Sequence, residues 1–376
     1  MRVLIFAGNS GSGGLKGYIK GIISACKDRN DKIYVLCTPK FSVEISSICK
    51  ISNVGIISMD ECAMGFWKVL FSNKLHKSVR KAIDDICPDV IFYTNSIIHK
   101  GTEKYINALS FHNQLYVDHD QLSRMKFSKT WLTLNLHRRR VIWSIKNADI
   151  TIFDSQQSYE QSLDVCVNVH NPVVAYFGVD ASERANTYRH NNDLHTPTRL
   201  IYVSTLFPYK NQAELILAIK ELKSRGYNIH LDVIGSGDKK YTKHVNSLIK
   251  SNGLKEDVTL HSWVDHKIIK DMIDEADIYI YASSIETSGF GLMEGMTRGV
   301  PIACNNESCM PEILKGAGIL FDIFSVSDTA DKIQMLIDRK ELRNKVAKDV
   351  FDIATQYTWE NNVDIVFGKF QEYIGG

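Results

Sequence analysis

Short apolar runs, each closed by glycine, proline or a cluster of polar residues, alternate along this 376-residue chain with longer stretches of helical period. In the first half the runs at 3–7, 33–37, 54–58, 90–94, 115–118 and 150–153 predict strands. Helices are predicted near 15–26, 65–83, 102–109 and 129–145. The stretch 181–197 is polar and without period, and reads as a linker. The alternation then restarts, with strands at 200–204, 229–234, 258–260, 278–282, 300–304 and 318–321. Helices at 212–224 and 241–250 lie between them, and an amphipathic segment closes the chain at 359–374. Strand, glycine loop, helix, strand is the opening of a doubly wound α/β domain. Two such halves in tandem place ligands at the carboxyl ends of the strands, in a central crevice. The expected boundaries are 1–180 and 198–356, with the final helix, 359–376, returning to the first domain.

Composition narrows the class. An apolar content of 44% with 23% charged residues is that of a globular chain, and a net charge of +2 argues against a nucleic-acid partner. Eight cysteines without a C-x-x-C pair predict reduced thiols and no zinc site. The longest apolar runs fall short of a membrane span or signal peptide, so a cytoplasmic location is expected.

Candidate chemistry concentrates in the segment 278–304. There a strand opens onto Ser283 and Ser284, then Glu286, the turn Ser288-Gly289-Phe290-Gly291, and a helix carrying Glu294, seven residues lie between the two carboxylates. A helix start offers backbone amides and a positive dipole end to an anion, and carboxylates accept hydrogen bonds from hydroxyls. Phosphate and sugar are the groups such a site suits. With the following Gly299-Val300-Pro301, the segment resembles the E-x7-E region of the retaining group 1 glycosyltransferases (glycosyltransferase family 4), enzymes of the GT-B fold.

That resemblance implies roles for residues elsewhere. Lys210, where a strand hands over to a helix, resembles the family's diphosphate-binding lysine, while Thr205 stands where the family usually has arginine and so removes a bidentate contact. Gly235, after the second strand of the second half, resembles the glycine turn beside the nucleotide. Gly13 and Gly14 fall where a glycine pair closes over the donor diphosphate. As a dinucleotide fingerprint that loop fails, because Lys16 takes the third glycine's place. His119, after the run 115–118, is expected to reach the transferred sugar. The alternative, a metal on Asp118-x-Asp120, belongs to a single-domain architecture.

Basic residues gather without acids at 68–81 (Lys68, Lys74, Lys77, Arg80, Lys81) and 124–146, interleaved with Trp67, Trp131 and Trp143. Such a face suits an anionic membrane surface or a lipid-pyrophosphate-linked oligosaccharide acceptor. The expectation is therefore a retaining, metal-independent hexosyltransferase without cofactor. It would use a UDP- or GDP-linked sugar in bacterial cell-surface polysaccharide synthesis (O-antigen, capsule or exopolysaccharide). Glu286, His119 and Lys210 are the expected catalytic residues; Glu294, Gly289, Phe290, Thr205, Gly235, Gly13 and Gly14 contact the donor. Rival readings are an idle nucleotide-sugar-binding subunit and a GT-B epimerase.

Overall fold

The structure is a computed structural model that describes residues 1–8, 13–49, 54–62, 74–118, 129–166, 168–188 and 193–376. Two compact units emerge: residues 1–180 with 358–376, and residues 181–357.

The first unit runs β1 (Arg2–Ala7), α1 (Gly13–Ala25), β2 (Lys32–Cys37), α2 (Pro39–Ser46), β3 (Val54–Ser58), α3 (Lys77–Ile86), β4 (Val90–Tyr93) and β5 (Ile106–Phe111). It continues with α4 (Lys129–Asn147), β6 (Ile150–Phe153), α5 (Gln156–Leu163) and β7 (Pro172–Val174). Its seven strands are parallel in the order β3-β2-β1-β4-β5-β6-β7. Both faces of such a sheet are covered, which is why its strands read as continuous apolar runs instead of alternating ones. On one face Leu4, Phe6, Ile91, Tyr93, Leu109 and Phe153 pack with Val79 and Ile83 of α3 and Val141 and Ile145 of α4.

Two expected elements differ. The helix expected at 102–109 is instead β5, paired to β4 and β6. Asn107 decides the matter: inside the strand its side-chain amide donates to the carbonyls of Thr102 and Tyr105, while its backbone N–H donates to Asp149 at 2.8 Å. Its Oδ1 also accepts from the Thr102 hydroxyl at 2.8 Å, so this polar residue is bonded inside the strand. The strand expected at 115–118 is a 3₁₀ turn, Gln114–Tyr116, capped by Asn113. Of the helix expected at 65–83, the part before residue 74 lies outside the described residues.

The second unit contains β8 (Thr198–Val203), α6 (Gln212–Ser224), β9 (Ile229–Ile234), α7 (Lys239–Ser251), β10 (Val258–His261), α8 (His266–Glu275), β11 (Ile278–Tyr281) and α9 (Phe290–Thr297). After these come β12 (Ile302–Asn305), α10 (Met310–Leu314), β13 (Ile319–Phe321), α11 (Val326–Asp338) and α12 (Lys340–Ala354). Six parallel strands lie in the order β10-β9-β8-β11-β12-β13. The polar stretch expected as a linker starts this unit. Ala185 N–H donates to Thr297, Arg184 to the Ala354 carbonyl, and Arg298 to the Glu183 carbonyl, so 181–185 are bonded down despite their polar composition.

The last helix, α13 (Trp359–Gly375), belongs to the first unit. It buries Trp359, Val363, Val366, Phe367 and Phe370. Gly21 of α1 leaves the room Trp359 needs, since a Cβ there would lie 2.1 Å from the indole. Among the described residues no helix is long and apolar enough to cross a membrane, and all eight cysteines are free.

Candidate active site

In the second sheet the strand order reverses between β8 and β11, and the chain leaves the carboxyl ends of these neighbours in opposite directions. Such a switch point opens a place for ligands. Both loops that leave it carry expected site residues: Thr205 and Lys210 follow β8, and Glu286 follows β11.

The two loops are tied to each other by polar side chains. Asn211, in the left-handed conformation with φ 53°, donates through its side chain to the Ala282 carbonyl at 2.8 Å. Ser284 N–H donates to the Tyr209 carbonyl at 2.9 Å, and its hydroxyl donates to the same atom at 3.2 Å. Asn305, buried at the end of β12, donates to the Ser283 carbonyl at 3.0 Å. Ser308 grips Glu286 at both backbone ends, accepting its N–H at 3.0 Å and donating to its carbonyl at 2.7 Å. The backbone around Glu286 is therefore set before any ligand arrives.

On that backbone the Glu286 side chain meets two donors. The Lys210 ammonium and the Tyr281 hydroxyl both donate to Oε1, the tyrosine at 2.6 Å. Lys210 also lies 5.3 Å from the Tyr209 ring centre. Burial, with the Glu286 charge second, pushes Tyr209 up to about 12 and Tyr281 well above the ordinary phenol range, so both remain protonated donors at neutral pH.

Gly289 caps α9 with φ 57°, a conformation that favours glycine, and no side chain caps the helix start. Glu294 lies on the first turns of α9. Its Oε1 is 3.5 Å from His266 Nε2, and the Nδ1 of that ring is 3.9 Å from Glu183. Both glutamates, with Lys270 and Arg298, line a small pocket between α8 and α9. The Glu294 contact is the main cause of a raised His266 pKa. The Tyr279 hydroxyl donates to the Gly291 carbonyl at 2.8 Å, and burial, with the Glu294 charge second, holds its pKa well above the ordinary phenol range.

Gly235 and Gly237 let the loop after β9 press against the one after β8. A Cβ on Gly235 would lie 2.0 Å from the Ser204 carbonyl oxygen, and one on Gly237 2.2 Å from that of Leu206. Thr205 is exposed, and its carbonyl accepts the Gln212 amide. Lys210, Glu286, Gly289, Phe290, Glu294, Thr205 and Gly235 thus all follow carboxyl ends of strands in one sheet.

The first unit holds the remaining expected residues. Gly13 and Gly14 begin α1, and a Cβ on Gly14 would meet nothing within 4 Å. His119 and Asp120 lie outside the described residues. With β5 placed at 106–111, the histidine that directly follows that strand is His112. Its Nδ1 is 2.8 Å from Asp154, a fully buried carboxylate at the end of β6. Tyr18 and Phe177 pack edge-on against the ring. Among the described residues no group of His, Cys, Asp or Glu is placed to hold a metal ion.

The family match among known proteins falls on the second unit. Residues 185–351 match the family model described as glycosyl transferases group 1. Over 196 residues the chain is 24% identical to alpha-D-kanosaminyltransferase of Streptomyces kanamyceticus, covering 51% of this chain and 50% of that protein. Over 162 residues it is 25% identical to O-antigen chain mannosyltransferase B of Escherichia coli, covering 43% of this chain and 42% of that protein. The chain thus spans about half the length, or less, of these curated relatives. The crystal structure of Anabaena Alr3699/HepE in complex with UDP and glucose superposes with a TM-score of 0.71 at 18% identity. It covers 99% of this chain and 100% of that one. The fold is GT-B.

Proposed function

With residues 185–351 a glycosyl transferases group 1 domain, we propose that the protein is a retaining glycosyltransferase that moves a hexose from a nucleoside-diphosphate sugar to a glycan hydroxyl. The observation that carries this reading is the pairing of Lys210 with Glu286 at the switch point, beside the helix start at Gly289 and Glu294. Cation, amides and two carboxylates are what a diphosphate, a ribose and a hexose together require.

In this reading Glu294 accepts hydrogen bonds from the ribose hydroxyls and Glu286 from a hydroxyl of the transferred sugar. Lys210, with the amides near Gly289 and Phe290, neutralises the diphosphate as the bond from the anomeric carbon to phosphate oxygen breaks. The electron pair leaves with the phosphate. The acceptor oxygen attacks from the same face, and its proton passes to the departing phosphate oxygen, so configuration is retained. Fixed donors aimed at developing charge supply the acceleration, without protein nucleophile, cofactor or metal. His112 takes the sugar-facing role expected of His119. The first unit receives the acceptor, a lipid-pyrophosphate-linked oligosaccharide, and its basic residues on α4 meet an anionic membrane at the inner face of the plasma membrane. A relative named as an O-antigen mannosyltransferase supports a role in cell-surface polysaccharide synthesis. The UDP in the Alr3699/HepE structure favours UDP over GDP.

Turnover of UDP-glucose, UDP-galactose, UDP-N-acetylglucosamine and GDP-mannose, followed by proton NMR, tests the reading. One donor should release its nucleotide with an α-linked product, at a rate unchanged by EDTA. A β-linked product, or loss of rate with EDTA, would contradict the mechanism. Thr205 favours one second reading, an idle subunit, which would bind nucleotide and consume none.

A further inference from the structure

Glu286 receives both its side-chain hydrogen bonds on one oxygen, and its two donors are not alike. Lys210 carries a charge on a flexible stem, and in the reading above that charge is drawn to the donor diphosphate. Tyr281 is 3% exposed, sits at the end of β11 among the loops just described, and its ring is packed against α9 where Gly291 leaves it room. A Cβ on Gly291 would lie 3.3 Å from the ring and 3.4 Å from its hydroxyl oxygen. Gly295, one turn on, does the same for Tyr279, where a Cβ would stand 2.7 Å from the ring. The two glycines let a pair of tyrosines from one face of β11 pack against the helix, where Tyr279 donates to the Gly291 carbonyl and Tyr281 to Glu286. Glu286 Oε2 has no hydrogen-bond partner among the described residues.

From this arrangement we infer that Tyr281 is a positioning residue for Glu286: it keeps the carboxylate aimed through Oε2 at a sugar hydroxyl when a bound diphosphate draws Lys210 off Oε1. The inference rests on the glycosyltransferase reading and adds to it a residue outside the E-x7-E segment. Once Lys210 turns to phosphate, a carboxylate without a second anchor would rotate about its terminal torsion, which is broad and soft. A buried phenol whose ring is fixed by strand and helix supplies that anchor at no cost in flexibility. Its high pKa keeps the proton on the tyrosine side.

Tyr281→Phe keeps the ring and removes only the hydroxyl. With the donor that the wild-type protein turns over, kcat should fall about tenfold, in line with the loss of one hydrogen bond to a charged group. The donor KM should move less than about twofold, because the hydroxyl is spent on orientation more than on binding. Gly291→Ala, which presses on the ring and leaves the hydroxyl present, should lower kcat in the same direction. In a double-mutant cycle Tyr281→Phe should cost almost nothing further once Glu286→Gln is in place, since the two act as a unit. A Tyr281→Phe protein with a lowered melting temperature and wild-type kcat, or additive losses in the cycle, would overturn the inference and leave the enzyme reading standing. A wild-type protein that consumes no nucleotide sugar would overturn the reading and the inference together.

Discussion

The two units are alike in topology and unlike at the ends of their strands. In the second, the loops after β8, β9 and β11 are bound to one another by backbone and amide hydrogen bonds, and acidic and basic side chains stand on them and on α9: Lys210, Glu286, Glu294. In the first, the ends of β5 and β6 carry a half-buried His112 on the buried Asp154, enclosed by Tyr18 and Phe177. Glycine makes the same contrast. Gly235 is required by the chain's own packing, because a side chain there would strike the Ser204 carbonyl. Among the described residues a Cβ on Gly14 would meet nothing within 4 Å.

Four substitutions sharpen or break that contrast. Lys210→Ala should cost the most, about 10²–10³ in kcat, the usual price of removing one group that stabilises developing charge. The same change should leave nucleotide-free folding nearly intact, since Tyr281 still satisfies Glu286; steady-state kinetics beside a thermal melt read both. Next, Gly235→Ala should destabilise by about 3 kcal/mol or more in urea unfolding, the cost of forcing a side chain against backbone. Gly14→Ala should stabilise by about 0.4–1 kcal/mol, the usual gain for alanine over glycine in a compatible helix, and yet lower activity. Equal stability losses at the two glycines would break the comparison.

The smallest effect concerns pH. His266 pairs with Glu294, which raises its pKa in the folded protein above the ordinary histidine value. A raised pKa adds stability that is fully present below about pH 6.5, the unperturbed value, and is lost as pH rises through the folded value. Melting temperature should therefore fall slightly across that window in the wild type and less in His266→Gln. The ring is 61% exposed, so the difference should also shrink in high salt.

Strands of uninterrupted apolar residues, such as β1, β4 and β11, were readable because a parallel sheet buries both faces. β5 was not, because Asn107 and Ser110 interrupt its apolar run and the bonds that satisfy Asn107 form only in the folded chain. The E-x7-E spacing was legible because it lies within one loop and one helix. The bond from Lys210 to Glu286 joins residues 76 apart, and only the adjacency of β8 and β11 brings them together. Tyr281 reads from sequence as one more core aromatic; its hydroxyl acquires meaning only with the glycines of α9 in place.

The most direct test of the account is a thermal-shift titration with UDP, GDP, ADP and NAD, on the wild-type protein and on Glu294→Ala. At about a hundred times its dissociation constant, the matching diphosphate should add roughly 2.7 kcal/mol of stability, and the variant should lose most of that gain. Stabilisation by NAD alone, or an equal shift in wild type and variant, would contradict a nucleotide-sugar site built on Glu294.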